Sequence, residues 1–249
     1  MLRALTFFNI LIAVTMAVAY FYQLVYTISG VIFRRVRPEP APIELHRFAA
    51  LVCARNEAGV IGELIESLKD QSYPAELLDI YVLADNCTDD TASRAREAGA
   101  IVFERRNPRQ VGKGYALDYL LKQIDSFEGI DRYAGCFIFD ADNLVDAAFV
   151  AEMNKTFCKG YEVITCYRNS KNFGSNWISA GYSIWFLREA RFLNYPRMLF
   201  GNSCAVSGTG FFVSNKIIRE NGGWPFYLLT EDIQFSVNCA LTGHRIGYC

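Results

Sequence analysis

Between residues 48 and 140, short apolar runs alternate with segments in which apolar residues recur at helical spacing. The runs have the length and composition of buried strands, and they are Phe48–Ala54, Asp79–Asp85, Ala100–Glu104 and Gly135–Asp140. The helical segments that separate them are residues 60–71, 88–99 and 112–124. This repeated order predicts an α/β fold, with a Rossmann-like, mainly parallel sheet flanked by helices.

After residue 140 the pattern is less regular. Helices are predicted at residues 148–157, 177–193, 215–223 and 230–243, and strands at residues 161–167 and 208–214. The helix Trp177–Leu193 is rich in aromatic residues, but its apolar residues do not form one clean face. It either lies on a membrane surface or packs against the core of the α/β domain.

The N-terminal segment has no Asp, Glu, Lys or Arg from Ala4 to Phe33. This exceeds the roughly 20 apolar residues that cross a bilayer, so residues 1–33 are predicted to form a transmembrane helix. A signal peptide and a buried core helix are the alternatives. Arg34, Arg35 and Arg37 follow directly, and positive charge marks the cytoplasmic side of a span.

Residues 34–46 are predicted to be a stiff, basic linker, because Pro38, Pro40 and Pro42 follow the arginines. An α/β domain is then expected over residues 47–249. The charge pattern places this domain in the cytoplasm, at the cell membrane.

Composition argues against several kinds of site and partner. The net charge is -1 and the sequence pI about 6.2, so no basic field exists to hold nucleic acid. The 8 cysteines form no C-x-x-C pair and only 2 histidines are present, which disfavours a zinc site and a disulfide framework. Scattered thiols suit a reducing compartment.

Polar groups follow three of the predicted strands at the points where they end. Arg55–Glu57 follow the first strand, Asp85 and Asn86 close the second, and Asp140–Asn143 close the fourth. Parallel sheets bind ligands at the carboxyl ends of their strands. The three groups together therefore predict a site at one edge of the sheet.

Asp140 and Asp142 are two residues apart, so their side chains point to the same side of an extended segment. Two such carboxylates can share a divalent cation that neutralises a diphosphate, and oxygen-only ligands suit Mg²⁺ or Mn²⁺. The alternative is a turn in which Asp and Asn cap the next segment. An EF-hand is excluded, because Leu144 and Val145 occupy the positions of a ligand and of the essential glycine.

Two further motifs have a structural and a functional interpretation. Gly112–Gly114 is not a Walker loop, since Asn107 replaces its first glycine, but it places the Lys113 cation and a helix N-terminus where phosphate can bind. In Thr230–Asp232, the threonine caps a helix and the acids occupy its first turn. Alternatively, Asp232 is the general base for a hydroxyl nucleophile.

The ordered motifs VCARNEAGV, VLADNCTDDT, GKGYAL, FDADN and TED resemble those of family 2 glycosyltransferases with the GT-A fold, over residues 47–249. The preceding apolar helix resembles the membrane-bound branch, which includes cellulose, hyaluronan and chitin synthases. The resemblance implies an inverting, metal-dependent transfer from a nucleotide-sugar, usually UDP-linked. The acceptor would be a hydroxyl of a polysaccharide or of a lipid-linked molecule.

The resemblance also implies roles for single residues. Ala54 and Glu57 would border the nucleotide, Asp85 would bind its base, and Asp140 and Asp142 would bind the sugar-nucleotide and its metal. Lys113 joins this donor side by its position at the same sheet edge.

On the acceptor side, the resemblance implies that Asp232 deprotonates the attacking hydroxyl. The segment Ser207–Phe212 resembles the acceptor-side segment of the family, which places Gly210 and Phe211 there, with Glu231. The ring of Phe211 or that of Phe212 would either stack on a sugar or pack in the core.

The chain departs from the family pattern at two places. Ala84 stands where the family often has the first acid of a pair, which leaves the contacts to the base open. The Q-x-x-R-W motif does not occur before the chain ends on HRIGYC, so we expect either a fragment that lacks the C-terminal part or a shortened member.

Two other functions stay open. A nucleotidyltransferase on a similar scaffold is disfavoured, because ARNEAGV stands in place of a glycine-rich basic loop. A non-catalytic, membrane-anchored binding module is disfavoured by the retained acids.

Overall fold

The computed structural model describes residues 2–33 and 44–249, which form two compact units. One unit contains the N-terminal helix and Arg168–Asn202. The other contains residues 44–167 and Ser203–Cys249. The arginines and prolines of the predicted linker lie outside the described residues, and residues 44–47 have no regular secondary structure.

Among the described residues, the second unit is built on a seven-stranded, mostly parallel sheet. Its strands are β1 (Phe48–Ala54), β2 (Leu78–Asp85), β3 (Ile101–Arg105), β4 (Gly135–Asp140), β5 (Val163–Thr165), β6 (Phe211–Ser214) and β7 (Ile246–Tyr248). They lie in the order β3-β2-β1-β4-β6-β5-β7. β6 runs antiparallel to both of its neighbours, and every other pair is parallel. The predicted α/β class is confirmed.

Helices flank this sheet in the second unit, and they also make up most of the first. In the first unit the helices are α1 (Leu2–Ile32), α6 (Trp177–Glu189) and α7 (Tyr195–Leu199). In the second they are α2 (Ile61–Lys69), α3 (Thr91–Glu97), α4 (Lys113–Phe127), α5 (Phe149–Cys158), α8 (Asn215–Glu220) and α9 (Glu231–Thr242).

The elements after residue 140 differ most from the sequence-based expectation. β5 and β6 are shorter than predicted, and β6 begins only at Phe211 because Gly208 and Gly210 take positive φ angles of 68° and 69°. That conformation favours glycine and suits a loop, not a strand. The single helix expected over residues 177–193 ends at Glu189 and passes through a π-helical turn, Ala190–Asn194, into α7.

The core of the second unit is dominated by aromatic rings on the central strands. Phe48 and Phe137 lie on neighbouring parallel strands with ring centroids 5.1 Å apart, and Phe212 on β6 lies 5.3 Å from Phe137. All three are buried, because helices cover a parallel sheet on both faces. Burial of aromatic surface on this scale stabilises the strands whose carboxyl ends carry the polar groups.

The first unit is organised around α1, whose apolar side chains are exposed along most of the helix. Among the described residues, Arg3–Ile32 is the one helix long and apolar enough to cross a membrane, with a mean hydropathy of 2.0. Its last third packs within the unit: Tyr26 stacks on Phe200 at 5.9 Å, and Asn202 Nδ2 donates to the Tyr26 hydroxyl at 3.0 Å. The predicted helix is present, and it fits a membrane span by length and composition.

Candidate active site at the carboxyl ends of the strands

The three predicted polar groups come together at one edge of the sheet. In the β1–β4 register Cys53 lies opposite Asp140, and in the β1–β2 register Ala54 lies opposite Ala84, one residue before Asp85. The strand ends are adjacent because β2, β1 and β4 are neighbours. The topology therefore brings together side chains that are far apart in the sequence.

A cavity of about 360 Å³ opens at this edge. It is lined by every residue predicted on the donor side, namely Ala54, Glu57, Asp85, Lys113, Asp140 and Asp142. Cys53 also lines it, but burial raises the pKa of this thiol to about 12. A protonated thiol is a poor nucleophile, so Cys53 contributes to the wall of the cavity and not to covalent chemistry.

Among the described residues, Lys113 is one of two cations that line this cavity, beside Arg55, and it is placed by the first turn of α4. Its Nζ donates to Asp140 Oδ1, and a second bond of 2.7 Å reaches the Gly208 carbonyl oxygen. The side chain is mostly buried, with 19% exposed. An ammonium group beside Asp140 at a helix N-terminus is well placed to attract a phosphate group.

Residue 208 connects this donor-side cation with Asp232. While its carbonyl oxygen accepts from Lys113, the Gly208 N–H donates to Asp232 Oδ2 at 2.6 Å. The Ile233 N–H holds the other oxygen, Oδ1, at 2.8 Å. We call this connection through the peptide groups of residue 208 the Gly208 bridge. It fixes the orientation of the Asp232 carboxylate at the start of α9.

The loop that carries the Gly208 bridge is fastened to the end of β4. The Asp140 N–H donates to Thr209 Oγ1 at 2.8 Å, and the Thr209 hydroxyl donates to Asn143 Oδ1. The Gly210 N–H donates to the Ile138 carbonyl oxygen, also at 2.8 Å. The aspartates of β4 and the predicted acceptor-side segment are therefore held in register by hydrogen bonds.

Asp85 is bound by a partner that the sequence reasoning missed. Arg105 Nε donates to Asp85 Oδ1 at 2.7 Å and Nη2 donates to Oδ2 at 3.1 Å, and both side chains are buried. The same guanidinium donates to the carbonyl oxygens of Gln110 and Tyr115, on either side of Lys113. Arg105 thus holds Asp85 and the loop before α4 together.

A signal for Arg105 exists in the sequence, but only once the strand pairing is known. Arg105 is the last residue of β3 and lies opposite Asp85 in the β2–β3 register. Opposite charges at neighbouring strand ends form a pair across the sheet. The sequence contains no such signal for Thr209, because its role depends on the fold of the loop between Gly208 and Gly210.

Two asparagines at the strand ends adopt left-handed backbone conformations. Asn56 after β1 has a φ of 58° and Asn86 after β2 has a φ of 54°. The side-chain oxygen of each compensates by accepting a backbone N–H, from Thr88 at 2.8 Å and from Asn107 at 2.7 Å. Such conformations of non-glycine residues concentrate at functional sites.

The predicted acceptor-side residues Gly210, Phe211 and Glu231 are all buried. The Phe211 ring is 0% exposed and packs near Trp224 and Phe235, with centroids 6.0 and 6.3 Å away. The ring therefore packs in the core, which favours the core-packing alternative over stacking on a sugar. Glu231 is also buried, and this burial raises the pKa of its carboxyl group.

The helix-capping alternative for Thr230–Asp232 is only partly realised. α9 begins at Glu231, but the Thr230 side chain makes no capping hydrogen bond. The two acids do occupy the first turn, where the helix dipole favours negative charge.

The candidate metal ligands at this site are the two carboxylates of Asp140 and Asp142. In the described ranges, no group of three or more His, Cys, Asp or Glu side chains is placed to hold a metal ion. Lys113 binds Oδ1 of Asp140, and no donor from the described residues binds Oδ2. Mg²⁺ is commonly held by one or two carboxylates with substrate phosphates and water. Asp140 and Asp142 therefore fit an ion that binds together with a diphosphate.

Gly114 fixes the approach of α4 to the segment before α9. A Cβ atom at this position would lie 1.8 Å from the Phe226 carbonyl oxygen. We expect Gly114→Ala to lower the free energy of unfolding by about 1–3 kcal/mol, because backbone has to move. Urea unfolding in detergent measures this.

Gly62→Ala is the matched control, since Gly62 also lies in a helix and nothing lies within 4 Å of its would-be Cβ. It is expected to stabilise the protein by about 0.5–1 kcal/mol. Equal effects of the two substitutions would contradict the close contact at Gly114.

Comparison with known proteins agrees with this geometry. The sequence model for "Glycosyltransferase like family 2" matches residues 46–249. A relative from Nostoc sp., named Beta-monoglucosyldiacylglycerol synthase, is 27% identical over 83% of this chain and 44% of its own length. The chain spans about half the length of the curated relatives it matches.

Two solved structures share the fold. The mannosyltransferase PcManGT from Pyrobaculum calidifontis, in complex with GDP-Man and Mn²⁺, has a TM-score of 0.65 at 19% identity, over 96% of this chain and 65% of that chain. Glucosyl-3-phosphoglycerate synthase from Mycobacterium tuberculosis, with Mg²⁺ and UDP, has a TM-score of 0.55 at 19% identity, over 82% and 68%. Since the family match covers most of the α/β unit and its motifs line one site, the chain belongs to the glycosyltransferase family 2, with a GT-A fold.

Proposed function

We propose that this protein transfers a sugar from a UDP-linked donor to a hydroxyl group of a glycolipid or glycan acceptor. The transfer inverts the configuration at the anomeric carbon. The observation that carries the proposal is the cavity at the strand ends, where Asp140, Asp142 and Lys113 are joined by the Gly208 bridge to Asp232. A diphosphate-binding edge and a fixed carboxylate are thus connected by two hydrogen bonds. This is the pair of functions that sugar transfer needs.

On the donor side, different residues of the cavity contact different parts of the nucleotide-sugar. Ala54 and Glu57 border the nucleoside, and Asp85, which Arg105 holds in place, contacts the base. Lys113 meets the diphosphate at the start of α4. The names of the fold neighbours, which were solved with GDP-Man and with UDP, support a nucleotide-linked donor.

A divalent cation, Mg²⁺ or Mn²⁺, is part of the proposal. Asp140 and Asp142 would hold it, and when bound it stabilises the negative charge of the departing diphosphate. The neighbours' Mn²⁺ and Mg²⁺ support this choice of metal. Lys113 assists from the protein side, because it places a fixed positive charge beside Asp140.

On the acceptor side, Asp232 takes the proton from the attacking hydroxyl group. Both of its oxygens accept backbone N–H bonds, so its orientation does not depend on a mobile partner. Direct attack by the activated hydroxyl on the anomeric carbon inverts its configuration. Glu231 and Gly210 support this side through the start of α9 and the loop before β6.

We further propose that α1 anchors the protein in the cell membrane, with the α/β unit in the cytoplasm. Arg34, Arg35 and Arg37 after the apolar helix support this orientation. The curated relatives are named for a glucosyl-diacylglycerol product, which supports a membrane lipid as acceptor. The family membership disfavours the nucleotidyltransferase alternative.

The direct test is binding of UDP to the full chain in detergent, measured by calorimetry with and without Mn²⁺. We expect Mn²⁺-dependent binding, and we expect Asp142→Asn to weaken it by about tenfold or more because a metal ligand is lost. GDP serves as the comparison nucleotide.

Asp146→Asn is the control, because Asp146 lies in the same loop, loses the same charge and is absent from the cavity wall. If UDP binding is the same with and without Mn²⁺ and is unchanged in Asp142→Asn, the metal assignment is overturned. A complete lack of UDP and GDP binding would instead favour the non-catalytic module.

A further inference from the structure

The polarity of α6 is the reverse of that expected for a helix on the surface of a soluble protein. Its large apolar side chains point outwards: Trp177 is 83% exposed, Trp185 is 58% exposed and Tyr182 is 60% exposed. The buried positions are Ser179 and Ser183. Helices in water bury the apolar side and expose the polar one. This exposed apolar surface needs an apolar partner.

The contacts of α1 indicate the depth in a membrane at which α6 would lie. One of the contacts that α1 makes inside the first unit is at Gln23, whose side-chain oxygen accepts from Arg188 Nη2 at 3.3 Å. At Gly30, a Cβ atom would lie 2.6 Å from the Arg191 carbonyl oxygen, so the π-helical turn lies directly against α1. From Arg3 to Gln23 the helix rises about 30 Å, which is about the thickness of the hydrocarbon core.

These distances predict the depth in the membrane of the end of α6 and the segment that follows it. If the first part of α1 fills the hydrocarbon core, residues 188–202 lie where that core ends, at the membrane–water interface. Trp and Tyr are enriched at this level, because their rings are apolar and their N–H and O–H groups remain hydrated. Three of the outward side chains of α6, those of Trp177, Tyr182 and Trp185, are of this type.

Charge points to the same partner. Residues 168–202 contain Arg168, Lys171, Arg188, Arg191 and Arg197 but only one acid, Glu189, so their formal charge is +4 in a chain with a net charge of -1. The basic groups are held close to the aromatic ones: Arg188 lies over the Trp185 ring, 5.5 Å from its centroid. Basic residues beside exposed aromatic residues favour an anionic lipid surface.

We propose that α6 lies in the interfacial layer of a bilayer that contains anionic lipid, with Trp177, Tyr182 and Trp185 inserted between the headgroups and the upper acyl chains. The first unit then has two membrane-binding elements: α1, which spans the bilayer, and α6, which lies in the plane of its surface. This inference rests on the proposed membrane anchoring by α1. It goes beyond that proposal by giving residues 168–202 a lipid-binding role.

Tryptophan fluorescence tests this directly, because the chain has 3 tryptophans and the third, Trp224, is 1% exposed in the core of the α/β unit. The full chain is reconstituted into phosphatidylcholine–phosphatidylglycerol vesicles whose lipids carry bromine, a contact quencher. We expect strong quenching by bromine near the top of the acyl chain and weaker quenching by bromine near its end. The Trp177→Phe/Trp185→Phe variant, which alters only exposed side chains, should lose the quenched component.

Vesicle flotation and UDP binding separate the possible results. If the protein floats with the vesicles and the double variant loses the quenched component, the inference is supported. If it floats but the wild type and the double variant are quenched equally, the role of α6 is overturned and the anchoring by α1 remains. If the protein does not float, anchoring and interfacial insertion both fail, while UDP binding still tests the donor site independently.

Discussion

Replacing Asp232 by Asn is expected to lower the rate of sugar transfer by about 100- to 10,000-fold, the contribution of a positioned general base. The amide cannot take a proton from the acceptor hydroxyl, but it has the same size as the carboxylate and keeps an oxygen that can accept from the Gly208 N–H. Binding of UDP with Mn²⁺ should therefore change little. The measurement is UDP release from UDP-glucose with diacylglycerol in mixed micelles, beside calorimetric UDP binding.

Comparison of sugar transfer with UDP binding distinguishes loss of a base from loss of structure, because only the transfer step needs a group that takes a proton. Asp146→Asn serves again as a control for the change in charge. Equal losses of UDP binding and transfer in Asp232→Asn would contradict the assigned role, because they would mean that the Gly208 bridge had collapsed.

The Gly208 bridge gives a physical reason to expect that the donor and acceptor sides influence each other. Lys113 holds the carbonyl oxygen of residue 208, and Asp232 holds its N–H. A diphosphate that draws Lys113 away from Gly208 would release one side of that peptide connection. Donor binding can thus alter the position of the base through two hydrogen bonds.

The first half of the fold could be predicted from the sequence because its pattern is local. The strands at Phe48–Ala54 and Gly135–Asp140 are continuous apolar runs that end where polar residues begin, and both have these bounds in the structure. Their parallel pairing follows from the helices between them. The second half was harder, since β6 enters the sheet antiparallel after a glycine loop and β5 has only three residues.

The grouping of the proposed donor-side residues at one sheet edge could be predicted for the same reason, since strand ends carry their own polar residues. The interactions that place those residues could not. Arg105 becomes a partner of Asp85 only through the β2–β3 register, and Thr209 meets Asp140 only through the fold of a distant loop. The exposure of α6 was left open between two alternatives, because composition does not reveal which side of a helix is buried.

Arg105→Met is expected to lower the free energy of unfolding by about 3–5 kcal/mol, because it leaves a buried carboxylate without its cation. Methionine keeps much of the packing of the arginine stem, so the loss comes mainly from Asp85, whose side chain is 8% exposed. The carbonyl oxygens of Gln110 and Tyr115 also lose their donor, which should loosen the segment before Lys113. Urea unfolding in detergent measures the change.

The fluorescence of Trp224, in the Trp177→Phe/Trp185→Phe background, reports unfolding of the α/β unit alone. Arg96→Met is the control: it breaks the Arg96–Glu104 pair, which is half exposed and is expected to contribute about 0–1 kcal/mol. Adding Asp85→Asn to Arg105→Met should restore part of the stability, since it removes the unpaired charge. If Arg105→Met instead destabilises no more than Arg96→Met, Asp85 is held by the sheet itself, and its proposed contact with the base does not depend on Arg105.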